Sequence, residues 1–352
     1  MDNSELIDLG FAPFFHQQIS LEERERCDVV RVTEVQRSQL TVTDGRHDRA
    51  VPVTASWQSV PSEQRPTVGD WVLLSRADGS LERVLDRKSV FRRIAAGEKS
   101  EIQLIASNID TLFVVTSCNK DFNESRLERY LSLALEAQVT PVIVITKADL
   151  AETVDEYRDR MHRIAPAVPV ELVNALDPDT LSGLLGWVTA GQTIAFVGSS
   201  GVGKSTLINS LLGRTAAQTG AIREDDSRGR HTTSYRALFR LPDGGLLIDV
   251  PGMRELKVAE VETVLDDVFA DIAAAAERCR FKDCSHASEP GCAVLAAVDA
   301  GTIDRRRLQS FRRLQREDAR HSASLAERRD QDRKLGKLYK SILNQARQRR
   351  NK

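Results

Sequence analysis

The sequence predicts a multidomain α/β protein: an N-terminal β-barrel, a P-loop nucleotide-binding domain with a mostly parallel sheet, and a C-terminal helical domain gathered around a metal site. Three observations lead there. Residues 28–95 hold short alternating runs, residues 108–252 alternate apolar strands with amphipathic helices around "GSSGVGKST" (198–206), and three cysteines and a histidine cluster within 279–292.

The chain has 352 residues, enough for two or three domains, and its 29% charged and 41% hydrophobic residues are ordinary for a globular protein. No apolar run approaches the roughly 20 residues a bilayer span needs. The N-terminus carries no positive charge before Arg24, unlike a secretory signal, so a cytoplasmic protein with no membrane partner is expected. The net charge of -1 conceals two poles: residues 305–352 carry 17 Lys/Arg against 5 Asp/Glu, and the remainder is correspondingly acidic. A basic tail on an acidic body suits a polyanionic partner. Nothing in the sequence indicates an oligomer, and a monomer is expected.

In chain order, "VVRVTEV", "QLTVTDG", "AVPVTASW", "DWVLLS" and "GSLERVL" read as five strands separated by turn signals such as Asp44-Gly45 and Asp78-Gly79-Ser80. Five strands at this spacing fit a small barrel; the oligonucleotide-binding (OB) type is the commonest, and an SH3-like barrel gives the same pattern. From Asn108 the units lengthen. "DTLFVVTSC" (110–118) and "PVIVITKAD" (141–149) read as buried strands around a helix at 124–138; a helix at 152–164, a strand at 168–173, a helix near 179–190 and the strand "TIAFVG" (193–198) follow. Such alternation implies a parallel sheet covered on both faces. Boundaries fall at an extension (1–25), the barrel (26–97), the nucleotide domain (98–258) and a helical metal-binding domain with a basic tail (259–352).

Gly198-Ser199-Ser200-Gly201-Val202-Gly203-Lys204-Ser205, followed by Thr206, satisfies G-x-x-x-x-G-K-[ST] between a strand and a helix. Backbone N–H groups there surround phosphates at a helix N-terminus, Lys204 reaches the β- and γ-phosphates, and Ser205 offers a hydroxyl to Mg²⁺. Asp249, ending "GGLLIDV" before Pro251-Gly252, is placed as the second Mg²⁺ anchor, with the Gly252 amide facing the γ-phosphate. The polar segment 225–238 is a candidate switch in which Thr232 or Thr233 closes on Mg²⁺.

In "TKAD", Asp149 is the acceptor for guanine N1–H and the exocyclic amine, with the Lys147 stem along the base; adenine offers no such donor pair. Thr146 stands where such loops usually begin with Asn. "VNALD" (173–177) places the Asn174-Ala175 backbone as a second guanine contact. Both loops precede the P-loop, whereas GTPases normally carry them after it, so the series is circularly permuted. This order, with "VGDWV", "ASNIDTLFVV", "GSSGVGKSTLIN", "GRHTTSYR", "DVPGMRE" and "CRFKDCSHASEPGC", resembles the circularly permuted, small-ribosomal-subunit-dependent GTPases of bacteria, the RsgA (YjeQ) family. The resemblance implies an OB barrel, a permuted GTPase domain and a zinc domain. It further implies GTP hydrolysis to GDP, stimulated by the small (30S) subunit late in its maturation.

Met253 follows D-x-P-G where many GTPases place a water-orienting Gln, so His231 becomes the candidate for that role, as the resemblance also suggests. Gly201 occupies the position where some permuted GTPases use Asn to hold K⁺. Cys279, Cys284, His286 and Cys292 offer four ligands without a carboxylate, which suits one tetrahedral, structural Zn²⁺; Cys27 and Cys118 read as buried thiols. The tail supplies charge with almost no aromatics, which suits the rRNA backbone better than single-strand reading. Two further readings are an RNA-binding assembly factor that uses GTP chiefly as a conformational ligand, and an ATP-driven nucleic-acid motor, which Asp149 disfavours.

Overall fold

Each of the five alternating runs becomes a strand of a small antiparallel barrel: β1 (Cys27–Val35), β2 (Gln39–Thr43), β3 (Asp48–Pro52), β4 (Trp71–Ser75) and β5 (Leu81–Val84). The structure, a computed structural model, describes residues 4–36, 38–94, 102–119, 121–213, 237–249 and 262–319. It divides into two compact units, Met1–Lys257 and Val258–Lys352.

In the first unit, β1 pairs antiparallel with both β2 and β4, β3 joins β2 and β5 joins β4. Alternation puts Val30, Val32, Leu40, Val42, Val72 and Leu74 inside, fully buried against Val51 and Leu81. Before the barrel run three short helices, Ser4–Asp8, Pro13–His16 and Leu21–Arg26. The last begins with a capping box: Ser20 Oγ accepts from Glu23 N–H while the Glu23 carboxylate accepts from Ser20 N–H.

Arg31 fixes this extension in place. It is 1% exposed and donates to the carbonyls of Leu9 (2.5 Å), Gly69 (3.2 Å) and Asn108 (3.0 Å), joining the extension, a barrel loop and the entry to the next domain. Burial holds its pKa down to about 10, opposed by the charges of Asp110 and Asp70, so it remains cationic at neutral pH.

A hairpin that the sequence pattern did not reveal follows, β6 (Val90–Ile94) with β7 (Ile102–Ser107); it forms a separate two-stranded sheet. Then come β8 (Thr111–Ser117), β9 (Thr140–Thr146), β10 (Val170–Leu172), β11 (Thr193–Gly198), β12 (Ala237–Arg240) and β13 (Leu246–Asp249). Their order is β10-β9-β8-β11-β13-β12, parallel except for β12. Every residue of β8 and β11 is buried, as expected of strands covered on both faces. β12 also meets β1 at Glu34↔Ala237, so barrel and nucleotide sheet are continuous across 11 strands.

The helices flanking the sheet are Glu124–Glu136, Val154–Ile164 and Lys204–Leu212. The helix expected near 179–190 is corrected to a 3₁₀ turn, Pro178–Leu181, and one helical turn, Ser182–Leu185. Gly183 and Gly186 weaken a longer helix, and a Cβ at 183 would lie 2.6 Å from the Glu171 carboxylate, which would have to shift to admit it.

The second unit comprises the helices Glu262–Val268, Ala270–Ala276 and Ala293–Asp299 and a helical run at 305–319. Arg307, buried, donates through Nε and Nη2 to Asp271 at 2.8–3.0 Å and lies 4.8 Å over the Phe269 ring, which packs edge-on against Phe311. Among the described residues no helix is long and apolar enough to cross a membrane.

Candidate nucleotide site and metal centre

The loops singled out by sequence leave the carboxyl ends of neighbouring parallel strands: 146–149 after β9, 174–175 after β10, 198–204 after β11 and Asp249 closing β13. That edge is where open α/β sheets bind ligands. Two clefts of 460 and 600 Å³ open instead around Lys88, Asp110 and Gln192, at the amino ends of the strands, and neither touches these loops.

Gly198 leaves β11 where a Cβ would meet the Val115 carbonyl oxygen at 2.3 Å, and Gly203 turns into the helix Lys204–Leu212 with φ of 96°. Only glycine meets both demands without strain. Among the described residues the N–H groups of Ser200, Gly201, Val202 and Gly203 donate to nothing, which leaves a row of donors at a helix N-terminus. Lys204 is 7% exposed; its Nζ donates to the Gly198 carbonyl at 2.8 Å and to that of Ser199. The cation expected to meet phosphate therefore rests on carbonyls of its own loop.

The loop expected to read guanine is tied to the P-loop at two points. Thr146 is fully buried, and its Oγ1 contacts the carbonyls of Val202 (2.5 Å) and Thr116 (3.0 Å). Lys147, at φ of 58°, extends Nζ to the Gly201 carbonyl at 2.8 Å. The turn that follows exposes Asp149, whose carboxylate accepts no hydrogen bond among the described residues. Its charge is felt by Cys118, whose thiol is pushed up first by burial and then by Asp149. On the other side, Asn174 Oδ1 accepts from Leu176 N–H at 3.1 Å, and the Ala175 carbonyl accepts from Ser210 Oγ of the P-loop helix at 2.7 Å. The Ala175 N–H has no acceptor among the described residues. A free acceptor at 149 and a free donor at 175 complement the guanine amine edge and O6.

Ser205 is the second residue of the P-loop helix and Asp249 ends β13, which pairs with β11; two hard oxygen donors in these positions suit Mg²⁺. His231, Thr232, Thr233 and Gly252 lie outside the described residues, as does the basic tail from residue 320. One neighbour escaped the sequence reading: Arg126, in the first turn of the helix Glu124–Glu136, donates through Nη1 to Ser199 Oγ.

In the second unit, one ligand atom from each of Cys279, Cys284, His286 and Cys292 lies within 4.8 Å of the others. Cys279 Sγ is 3.7 Å from His286 Nδ1 and 3.9 Å from Cys292 Sγ, and Cys292 Sγ is 3.5 Å from the same nitrogen. Zn–S bonds of about 2.3 Å and Zn–N bonds of about 2.0 Å give a tetrahedron with edges of roughly 3.5–3.8 Å, so these residues fit zinc. Burial holds His286 below its usual range, in the neutral form a ligand needs. Burial raises the Cys279 thiol, but N–H groups of Val294 and Ala293 outweigh it and bring it below its usual value; Cys284 is pushed up to about 11, first by burial. Glu289, not foreseen, organises the loop: its carboxylate accepts from the N–H groups of Ser285 (2.9 Å), Ala287 (2.8 Å) and Ser288 (3.0 Å) and from Ser285 Oγ. Only its E-P-G-C context, three residues before the ligand candidate Cys292, hinted at this.

A parallel sheet whose guanine loops precede its P-loop defines a circularly permuted GTPase. The fold agrees with solved structures of YjeQ from Thermotoga maritima (TM-score 0.59, 22% identity, covering 81% of this chain and 96% of that one) and of YloQ, described as a circularly permuted GTPase (TM-score 0.56, 23% identity, 81% and 92%). The RsgA GTPase family model matches residues 84–259. A Vibrio vulnificus protein named small ribosomal subunit biogenesis GTPase RsgA 2 is 47% identical over 96% of this chain and 95% of its own. A Mesorhizobium japonicum protein named small ribosomal subunit biogenesis GTPase RsgA is 45% identical over 89% and 90%. The chain belongs to the RsgA GTPase family and is a GTP-hydrolysing enzyme.

Proposed function

We propose that this chain hydrolyses GTP as a late maturation factor of the small (30S) ribosomal subunit, in the cytoplasm, as a monomer whose turnover that subunit stimulates. The names of the relatives, matched over nearly their whole length, support the partner. The observation that carries the nucleotide assignment is the pair of free groups at Asp149 and Ala175, held against the P-loop by Thr146.

In this reading Asp149 and the Ala175 N–H select guanine, the N–H groups of Ser200 to Gly203 surround the phosphates, and Lys204 leaves its loop carbonyls for the β- and γ-phosphates. Ser205, Asp249 and Thr232 or Thr233 would hold Mg²⁺, which when bound neutralises charge on those phosphates. His231 orients the attacking water, because Met253 cannot, and the Gly252 amide meets the γ-phosphate. Cys279, Cys284, His286 and Cys292 would hold one structural Zn²⁺ with no open position for catalysis. The barrel and the basic tail face rRNA, the tail through backbone phosphates, so binding weakens as salt rises. GTP as a mere conformational ligand is not favoured by membership of a GTPase family.

The test is GTP turnover with purified small subunits, with large subunits and with neither. Turnover rising only with small subunits is expected; equal or absent stimulation by both would overturn the assignment.

A further inference from the structure

Two cations meet on one P-loop residue: Lys204 Nζ donates to the Ser199 carbonyl, and Arg126 Nη1 donates to the Ser199 hydroxyl. Lys204 belongs to the phosphate machinery. Arg126 comes from a different element, the helix after β8, and the fold gives no reason for it to be there.

Its position is unfavourable by itself. Asn123 caps the helix, accepting from the Arg126 N–H at 2.9 Å, so the guanidinium hangs from the first turn. There the helix dipole disfavours positive charge. No carboxylate compensates: among the described residues the guanidinium has the Ser199 hydroxyl as its one partner. Nearby Arg160 shows what a structural arginine does here, pairing with Glu124 at 2.9 Å and lying 4.5 Å over the Phe122 ring. Arg126 is also exposed, so it stabilises no core. A hydroxyl is a weak partner for a planar, permanently charged fork whose geometry matches phosphate oxygens.

We propose that Arg126 is a second γ-phosphate ligand, moving from Ser199 Oγ onto the terminal phosphate when GTP enters. The proposal rests on the seating of GTP in the P-loop given above. During hydrolysis the water oxygen bonds to Pγ, its proton passing to a phosphate oxygen or solvent, while the bond from Pγ to the bridging oxygen breaks with its electron pair on GDP. The guanidinium offsets charge on the transferring group, a task performed elsewhere by an arginine supplied in cis or by a partner. Once phosphate leaves, Arg126 has nothing to hold in GDP and returns to Ser199. It thus distinguishes triphosphate from diphosphate, which the free N–H row and Asp149 do not.

The experiment compares Arg126→Ala and Arg126→Lys with wild type, titrating a non-hydrolysable GTP analogue and GDP by nucleotide fluorescence with Mg²⁺. Losing one charge-assisted contact should weaken analogue binding about tenfold or more in Arg126→Ala and less in Arg126→Lys, while GDP affinity changes less than about twofold. Both variants should melt at or above the wild-type temperature, since each relieves or retains the same helix-terminal charge. Equal weakening of analogue and GDP, or no change in either, would overturn the proposal. Wild-type protein that binds neither nucleotide would instead fail the underlying seating of GTP.

Discussion

Thr146 Oγ1 lies 2.5 Å from the Val202 carbonyl, so the loop proposed to read the base is hydrogen-bonded to the loop proposed to hold the phosphates. The same hydroxyl also reaches Thr116 at 3.0 Å, across the sheet on β8. Threonine here acts as an internal strut, and its methyl group fills space beside Gly203, where a Cβ would stand 3.5 Å from Oγ1. Thr146→Val keeps the shape and removes the one O–H that these two carbonyls share, a loss of about 1–3 kcal/mol. Melting temperature and GDP affinity should fall together, while Thr146→Ser retains most of both. Unchanged GDP affinity in Thr146→Val, measured calorimetrically, would show that the strut does not shape the site.

The proposed guanine selectivity is tested at the Asp149 carboxylate, which is free to accept among the described residues. Asp149→Asn replaces an acceptor pair with one donor and one acceptor and removes the charge. Two charge-assisted hydrogen bonds of about 1.5–3 kcal/mol each are weakened, so GTP affinity should fall on the order of a hundredfold. Xanthosine triphosphate, which has an oxygen in place of the amine, should gain at the same time. Competition among GTP, ATP and XTP for a fluorescent guanine nucleotide checks both halves; undiminished GTP preference would exclude Asp149 from the base site.

The candidate metal centre is shaped by Glu289, which is not among its four potential ligands. Its carboxylate gathers three N–H groups and one hydroxyl from 285–288, shaping the turn between Cys284 and Cys292 in which His286 adopts φ of 54°. Glu289→Gln should weaken zinc about 10–100-fold against a chromophoric chelator, the usual cost of losing an outer partner. Stripping the metal should make the second unit sensitive to protease while nucleotide binding persists. A Gln variant with wild-type zinc affinity would leave the turn self-supporting.

The extension is held to the barrel by charge, with a clear pH signature. Glu23 receives Arg83 Nε at 2.7 Å, and this bond first, then the Ser20 N–H, lowers its pKa from 4.5 to about 2. A depressed carboxyl stabilises the fold above its unfolded value and loses that contribution as pH falls from about 4.5 through about 2. Glu23→Gln should therefore melt below wild type at pH 6, and the gap should close near pH 2. A gap that persists at pH 2 would assign the effect to packing instead.

Much of this was legible because local signals agreed. The P-loop glycines, the predominantly apolar β8 and β11, and four soft ligands within 279–292 each specify a backbone or a chemistry without help from distant residues. Legibility failed where distance in sequence decided the outcome. Arg126 and Ser199 are 73 residues apart, and no motif joins them. The hairpin β6–β7 was hidden by Arg92 and Arg93, which interrupt the alternation, and the helix expected at 179–190 was shortened by glycines whose role appears only once Glu171 lies against Gly183. Thr146 looked like a departure from a motif because its partners, Thr116 and Val202, lie 30 and 56 residues away.

The meeting of β1 with β12 has a consequence for solubility. β12 ends the nucleotide sheet, and a terminal strand presents unpaired N–H and C=O groups to any passing chain. Barrel strand β1 occupies that rim through Glu34↔Ala237. The barrel therefore shields that point of the rim, and a fragment starting at residue 98 would lose this partner for β12.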